Sequence, residues 1–227
     1  MAGPFNRAEA HLYPAVIGCD EVGRGALCGP VVVSAVFFDP ATVPPALLEA
    51  LDDSKRLPAP RREALTAEIL RCAGVAIAAG SAAAIDRRGI RTMTLDAMRR
   101  AIRGLGLAVP VLVDGVDIPP DTGLECAAVV GGDRRVPQIA AASIVAKTAR
   151  DRLMAMLGSR HPAYGWERNA GYGTSVHIAA LTRLGPTRHH RHSFAPVAQW
   201  RGSTQTGNEL QEIAVLESTT SGSPTAA

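Results

Sequence analysis

The stretch that most constrains this chain is the junction Gly18-Cys19-Asp20-Glu21-Val22-Gly23-Arg24-Gly25-Ala26-Leu27-Cys28-Gly29-Pro30. It is set between the apolar runs Ala15-Val16-Ile17 and Val31-Val32-Val33-Ser34-Ala35-Val36-Phe37-Phe38. Short β-branched runs bounded by glycine and proline predict two neighbouring strands. Asp20 and Glu21 are then expected to end the first strand. Consecutive strand side chains point to opposite faces, so spacing alone does not bring both acids to one ion. Gly23 and Gly25 relax that limit, because glycine takes backbone angles closed to other residues and lets a ligand approach closely. A glycine turn with incidental acids is the plain reading. Two carboxylates, an arginine and several glycines in one junction are also what holding a metal against a phosphate requires.

The remaining pattern alternates helices with buried strands. Residues 40–60 predict a Pro-rich connection, 61–72 a helix, 74–80 a strand, and Ser81 the cap of a short helix through Asp86. Residues 94–105 predict a helix, 110–115 a strand ending in Asp114-Gly115, and 126–130 a short strand. Residues 138–157 predict the longest helix and 174–184 a further one. This is an α/β pattern, extended by helices at its C-terminal end. Residues 201–227 are small and polar apart from Ile213-Ala214-Val215-Leu216, and are expected to form a flexible tail after a domain spanning 1–200.

At 227 residues and 47% hydrophobic, the chain can bury one substantial core. No apolar run approaches the ~20 residues of a membrane helix, and residues 1–10 lack the apolar centre of a signal peptide. A cytoplasmic location without membrane partners is therefore expected. Cys19, Cys28, Cys72 and Cys126 lack zinc-site spacing and predict free thiols. The net charge is +3, and +5 over residues 1–200, which permits a polyanionic partner without requiring one. Aromatic residues make up 4%, too few for a module built on successive base-stacking platforms.

Asp20 and Glu21 on one strand and Asp114 on another are expected at carboxyl ends of strands, where α/β sites gather. Asp133 follows Gly131-Gly132, just ahead of the longest helix. Taken singly, each acid reads equally well as a turn or cap residue. Brought together, four carboxylates repel one another unless divalent cations neutralise them. Oxygen-only ligation favours Mg²⁺ or Mn²⁺, and a pair of such ions suits phosphodiester cleavage.

Several segments resemble, in order, the motifs of bacterial ribonuclease HII. They are Asp20-Glu21-Val22-Gly23-Arg24-Gly25, Asp53-Ser54-Lys55, Leu112-Val113-Asp114-Gly115, Gly132-Asp133 and Ile139-Ala140-Ala141-Ala142-Ser143-Ile144-Val145-Ala146-Lys147. Arg150-Asp151-Arg152-Leu153-Met154, Gly171-Tyr172-Gly173-Thr174 and His190-Arg191-His192-Ser193-Phe194 complete the likeness, which covers residues 16–197. The resemblance implies a ribonuclease-H-like mixed sheet flanked by helices. It also implies an endonuclease that cuts the RNA strand of RNA–DNA hybrids and duplex DNA containing single ribonucleotides, leaving 3′-hydroxyl and 5′-phosphate ends; a monomer is expected.

By the same resemblance, Asp20 bridges two divalent cations, Mn²⁺ or Mg²⁺. Glu21 and Asp114 support the ion on the leaving-group side and Asp133 the one on the water side. Gly23, Arg24 and Gly25 read the ribonucleotide's 2′-hydroxyl and adjacent phosphate, and Tyr172 packs on the neighbouring deoxyribose. Lys55, Ser143, Lys147 and Arg191 are secondary substrate or site-support candidates. Asn169-Ala170 stands where many members carry a His-Lys pair, which bears on substrate affinity. Asp151 competes with Asp133 as fourth ligand, and is expected instead in a charge pair on its helix. The histidines at 161, 177, 189, 190 and 192 are expected at scattered surface positions. Another structure-selective phosphodiester nuclease, or a noncatalytic nucleic-acid-binding relative, are the alternatives.

Overall fold

The structure is a computed structural model that describes residues 15–52 and 54–200; the tail expected at 201–227 lies outside them. Strands β1 (Ile17–Val22) and β2 (Val31–Phe37) pair antiparallel, and β2 pairs antiparallel with β3 (Gly74–Gly80). On the other side of β1, β4 (Val111–Asp114) and β5 (Cys126–Val129) run parallel to it, in the order β3-β2-β1-β4-β5. The valine-rich β2 is covered on both faces, as expected for a β-branched run in the middle of a packed sheet.

The helices are α1 (Pro45–Ala50), α2 (Ala59–Cys72), α3 (Ala82–Arg88), α4 (Ile90–Gly104) and α5 (Pro137–Arg160), followed by the short α6 (Trp166–Asn169), α7 (Ser175–Leu184) and α8 (Ala195–Ala198). One face of the sheet packs on α1, α2 and α5, burying Val36, Leu47, Leu65, Ile69 and Ile144. The other packs on α4, burying Ile17, Cys19, Val33, Ala97, Met98 and Ile102. A third core joins Leu27, Cys28 and Met154 to Trp166, Leu181 and Val197, fastening the C-terminal helices beneath the β1–β2 connection. Among the described residues no helix is long and apolar enough to cross a membrane.

Several sequence expectations shift. The connection at 40–60 contains α1, nucleated by Pro45 at a first-turn position and anchored by buried Leu47 and Leu48. α4 starts at Ile90, four residues early, because Gly89 at φ 80° supplies the break from α3. Ser81 caps α3 by accepting from Ala84 N–H. The first strand does not end at Asp20 and Glu21 but runs on to Val22, since β2 pairs with it throughout. The parallel pairing with β4 stops at Cys19↔Val113, so on that side the acids lie just past the end of the ladder, beside Asp114. Gly18 lets α5 come close: a Cβ there would lie 2.2 Å from the Gln138 backbone carbon. That contact brings Ser143 and Lys147 in beneath the acids.

Candidate active site

Asp20, Glu21 and Asp114 line one cavity of about 450 Å³, together with Lys55, Ser143, Lys147 and Tyr172. Asp20 is buried. Its carboxyl is held well above the usual carboxylate range by burial first and the Glu21 charge second, with Asp114 adding to the repulsion. A hydrogen bond from Ser143 and the Glu21 N–H donating to Oδ1 at 2.7 Å work the other way. Burial also raises Glu21, against the pull of Arg24. Like charges gathered out of water with no cation between them favour taking up a proton or a metal ion.

Asp114 Oδ1 accepts from Gly132 N–H at 2.7 Å. Gly132 opens a one-turn 3-10 helix, Gly132–Arg134, so Asp133 follows directly on the residue that grips Asp114. Asp133 is buried, and it does not line the cavity. Among the described residues no three His, Cys, Asp or Glu side chains stand gathered in ion-holding geometry. Glu21 faces Arg24, and Asp114 accepts from a backbone amide.

Gly23, Arg24 and Gly25 follow Val22 in the connection after β1. Gly23 has φ +88°, and a Cβ there would strike the Arg150 guanidinium at 2.1 Å, so both the turn and the packing demand glycine. Gly25 has open space where a Cβ would point. The loop rests on two buried arginines. Arg191 donates to Gly29 O (3.0 Å), Arg24 O (2.8 Å) and Gly23 O (2.7 Å). Arg150 donates to Pro30 O (2.9 Å), Ala170 O (2.8 Å) and Cys28 O (3.1 Å). Burial, then the like charge of Arg150, holds Arg191 down to about 10, still charged at neutral pH. Arg191 is fully buried, so of its two expected roles the geometry matches site support.

Tyr172 is 37% exposed, with the Arg150 guanidinium 5.4 Å from its ring centre, so it is no ordinary core residue. Leu27 N–H donates to Gly171 O at 2.8 Å, tying the Tyr172 segment to the loop. Asp151 lies in a charge pair, as expected: Lys147 Nζ donates to it at 2.7 Å and Arg62 Nη2 at 2.9 Å.

The scattered surface histidines are corrected in part. His177 and His190 are fully buried, Nε2 to Nε2 at 3.0 Å, with Trp166 Nε1–H donating to His177 at 3.1 Å. Because Thr187 N–H donates to His190 Nδ1 at 2.8 Å, His190 carries its proton on Nε2, and His177 donates from Nδ1 to Tyr172 O at 2.9 Å. Burial, then His177, pushes His190 down to about 3, so this pair stays neutral. Sequence reasoning also gave no role to Ser54, whose hydroxyl meets that of Ser143 at 2.8 Å, or to Asp117, which lies 3.5 Å from Arg24. Ser54 stood within a quoted motif. Nothing local marked Asp117 or the burial of Arg150.

The chain matches the family model described as Ribonuclease HII over residues 17–197. It is 53% identical over 186 residues to a Ribonuclease HII of Paramagnetospirillum magneticum, covering 82% of this chain and 92% of that protein. Its fold is similar to the RNase HII in a PCNA:RNase HII complex from Archaeoglobus fulgidus, with a TM-score of 0.67 at 27% identity, covering 85% of this chain and 98% of that one. It is also similar to ribonuclease H2 from Pyrococcus horikoshii, with a TM-score of 0.70 at 22% identity, covering 84% and 99%.

Proposed function

The chain belongs to the ribonuclease HII family and is a ribonuclease H endonuclease, and from that premise we propose how its own residues select and cut the substrate. The enzyme hydrolyses the RNA strand of RNA–DNA hybrids and cuts duplex DNA 5′ of a lone ribonucleotide, leaving 3′-hydroxyl and 5′-phosphate ends. One observation carries this reading: Asp20, Glu21 and Asp114 share a cavity that Tyr172 also lines, and Arg24 reaches Glu21 from the glycine loop.

The donor set fits hard divalent cations. Its acidic side chains offer oxygen only, and Asp20 is buried beside Glu21 and Asp114, where burial and their charge raise its carboxyl. Asp20 would hold both ions, Glu21 and Asp114 the one on the leaving-group side, and Asp133 the one on the water side. Two bound Mg²⁺ or Mn²⁺ ions supply water activation and charge neutralisation for phosphodiester hydrolysis. The chain's own residues do the selecting. Arg24 is the candidate for the phosphate beside the ribonucleotide, and open space at Gly25 admits the sugar. The 2′-hydroxyl is the group that separates RNA from DNA there. Tyr172 offers a partly exposed ring to the neighbouring deoxyribose, while Lys55 and Lys147 add cationic charge to the cavity wall.

Asp133→Asn is expected to slow cleavage far more than Asp151→Asn, because only Asp133 is assigned an ion. Mn²⁺ titrations of single-turnover rate on both variants check this, and equal rates would remove Asp133 from the set. Arg24→Ala is expected to weaken cleavage at a lone ribonucleotide by about 1–3 kcal/mol, the worth of one charge-assisted phosphate contact. Gly25→Val is expected to be worse, its branched side chain filling the space left for the strand. The measurement is cleavage of matched duplexes carrying one or several ribonucleotides, with circular dichroism to verify folding. Normal rate and normal selectivity in both variants would reject the loop as the reader.

A further inference from the structure

Arg24 stands between two acids. Its Nη1 lies 3.4 Å from Glu21 Oε1, and its Nη1 and Nη2 each lie 3.5 Å from Asp117 Oδ2. Asp117, in the loop after β4, is itself fixed from the far side. Arg91, in the first turn of α4, donates to the other carboxylate oxygen through Nε (3.0 Å) and Nη2 (2.8 Å). The order Arg91, Asp117, Arg24, Glu21 is therefore a chain of alternating charge running from an exposed helix end to the wall of the cavity.

A guanidinium and a divalent cation repel each other, so Glu21 cannot serve both equally. With a cation on Glu21, Arg24 loses one of its two acids and keeps the other. We infer that Arg24 and the divalent cation compete for Glu21, and that Asp117, braced by Arg91, is a positioning residue. It retains Arg24 at the rim while ion loading releases the guanidinium's Nη1 toward a substrate phosphate. The inference deepens the proposed function and rests on Glu21 being an ion ligand. Linkage makes the competition reciprocal: whatever removes Arg24 from Glu21 strengthens cation uptake.

The test is a Mn²⁺ titration of the metal-free full chain without nucleic acid, read by the electron paramagnetic resonance of free Mn²⁺. Arg24→Ala is expected to bind Mn²⁺ about three- to fivefold tighter, the scale of one partly exposed ion pair. Arg91→Gln removes the same charge beyond Asp117 and is expected to leave the affinity near the parental value. If Arg24→Ala fails to tighten binding, or Arg91→Gln tightens it equally, the competition is overturned, the second result pointing to net charge alone. Glu21→Gln separates this from failure of the underlying reading. Unchanged Mn²⁺ uptake in that variant would remove Glu21 as a ligand and both ideas with it, whereas weakened uptake leaves the assignment standing. For Asp117, Asp117→Asn is expected to raise KM for a single-ribonucleotide duplex about fivefold at saturating Mn²⁺ with kcat held, since retention of Arg24 acts on binding. A fall in kcat at unchanged KM, or no change in either, would overturn the positioning role.

Discussion

Asp20→Asn is expected to abolish detectable turnover, a loss of about 10³-fold or more, while the protein folds normally. The substitution keeps the shape of the side chain and removes charge at the centre of the carboxylate set. Several kcal/mol of metal-ion catalysis depend on that charge, and each 1.36 kcal/mol is about a factor of ten in rate. Stability should move the opposite way. Asp20 is buried beside Glu21 and Asp114, and its ionised form is disfavoured in the metal-free protein. Such a group favours the fold while protonated and opposes it as pH rises above its unfolded value, so at neutral pH the amide should hold or raise the melting temperature. Single-turnover cleavage beside thermal melts in chelator checks both halves. A folded variant with near-parental rate would remove Asp20 from the chemistry.

Arg191→Met is expected to lower stability by about 3 kcal/mol or more, a large part of a typical domain's total, and to collapse activity with it. The Arg24 and Gly29 carbonyls lose their donor, each unsatisfied acceptor costing about 1–3 kcal/mol, and the Gly23 carbonyl is left with the long bond from Ala26 N–H at 3.4 Å. The change also removes repulsion from Arg150, which works in the protein's favour. Two orphaned acceptors and a third left with one long bond outweigh one relieved repulsion. Arg191→Lys should not restore the fork, because an ammonium cannot present three fixed N–H directions at once. Urea midpoints are the measurement, and a shift below about 0.5 kcal/mol, the scale of an ordinary surface substitution, would mean the loop does not depend on this arginine.

How much of this was legible in the sequence differs residue by residue. The strands 17–22 and 31–37 could be read because β-branched runs end at glycine and proline, and α3 because Ser81 precedes it as a cap. The acids could be read as a set only through the resemblance, since strand periodicity sends Asp20 and Glu21 to opposite faces. What joins them is that β4 stops at Asp114 while β1 continues, a long-range register that no local pattern encodes. The loop's foundation was hidden for the same reason. Arg150 and Arg191 look like surface cations in sequence, and their burial depends on carbonyls brought in from residues 23–30 and 170. His177 and His190 meet only because α7 and the segment following it pack against Trp166. Asp117 carried no motif at all, and its meaning lies in the two arginines on either side of it.

The central claim is that this cavity cuts nucleic acid by recognising a ribonucleotide with the help of divalent ions. It is tested most directly by incubating the full chain with three matched duplexes, carrying no ribonucleotide, one, or several in one strand, each with Mn²⁺, with Mg²⁺, or with chelator. The expected result is a cut 5′ of the lone ribonucleotide and within the longer run when metal is present, and intact strands in chelator and in the all-DNA duplex. Cleavage of the all-DNA duplex at a comparable rate, or cleavage that persists in chelator, would contradict it.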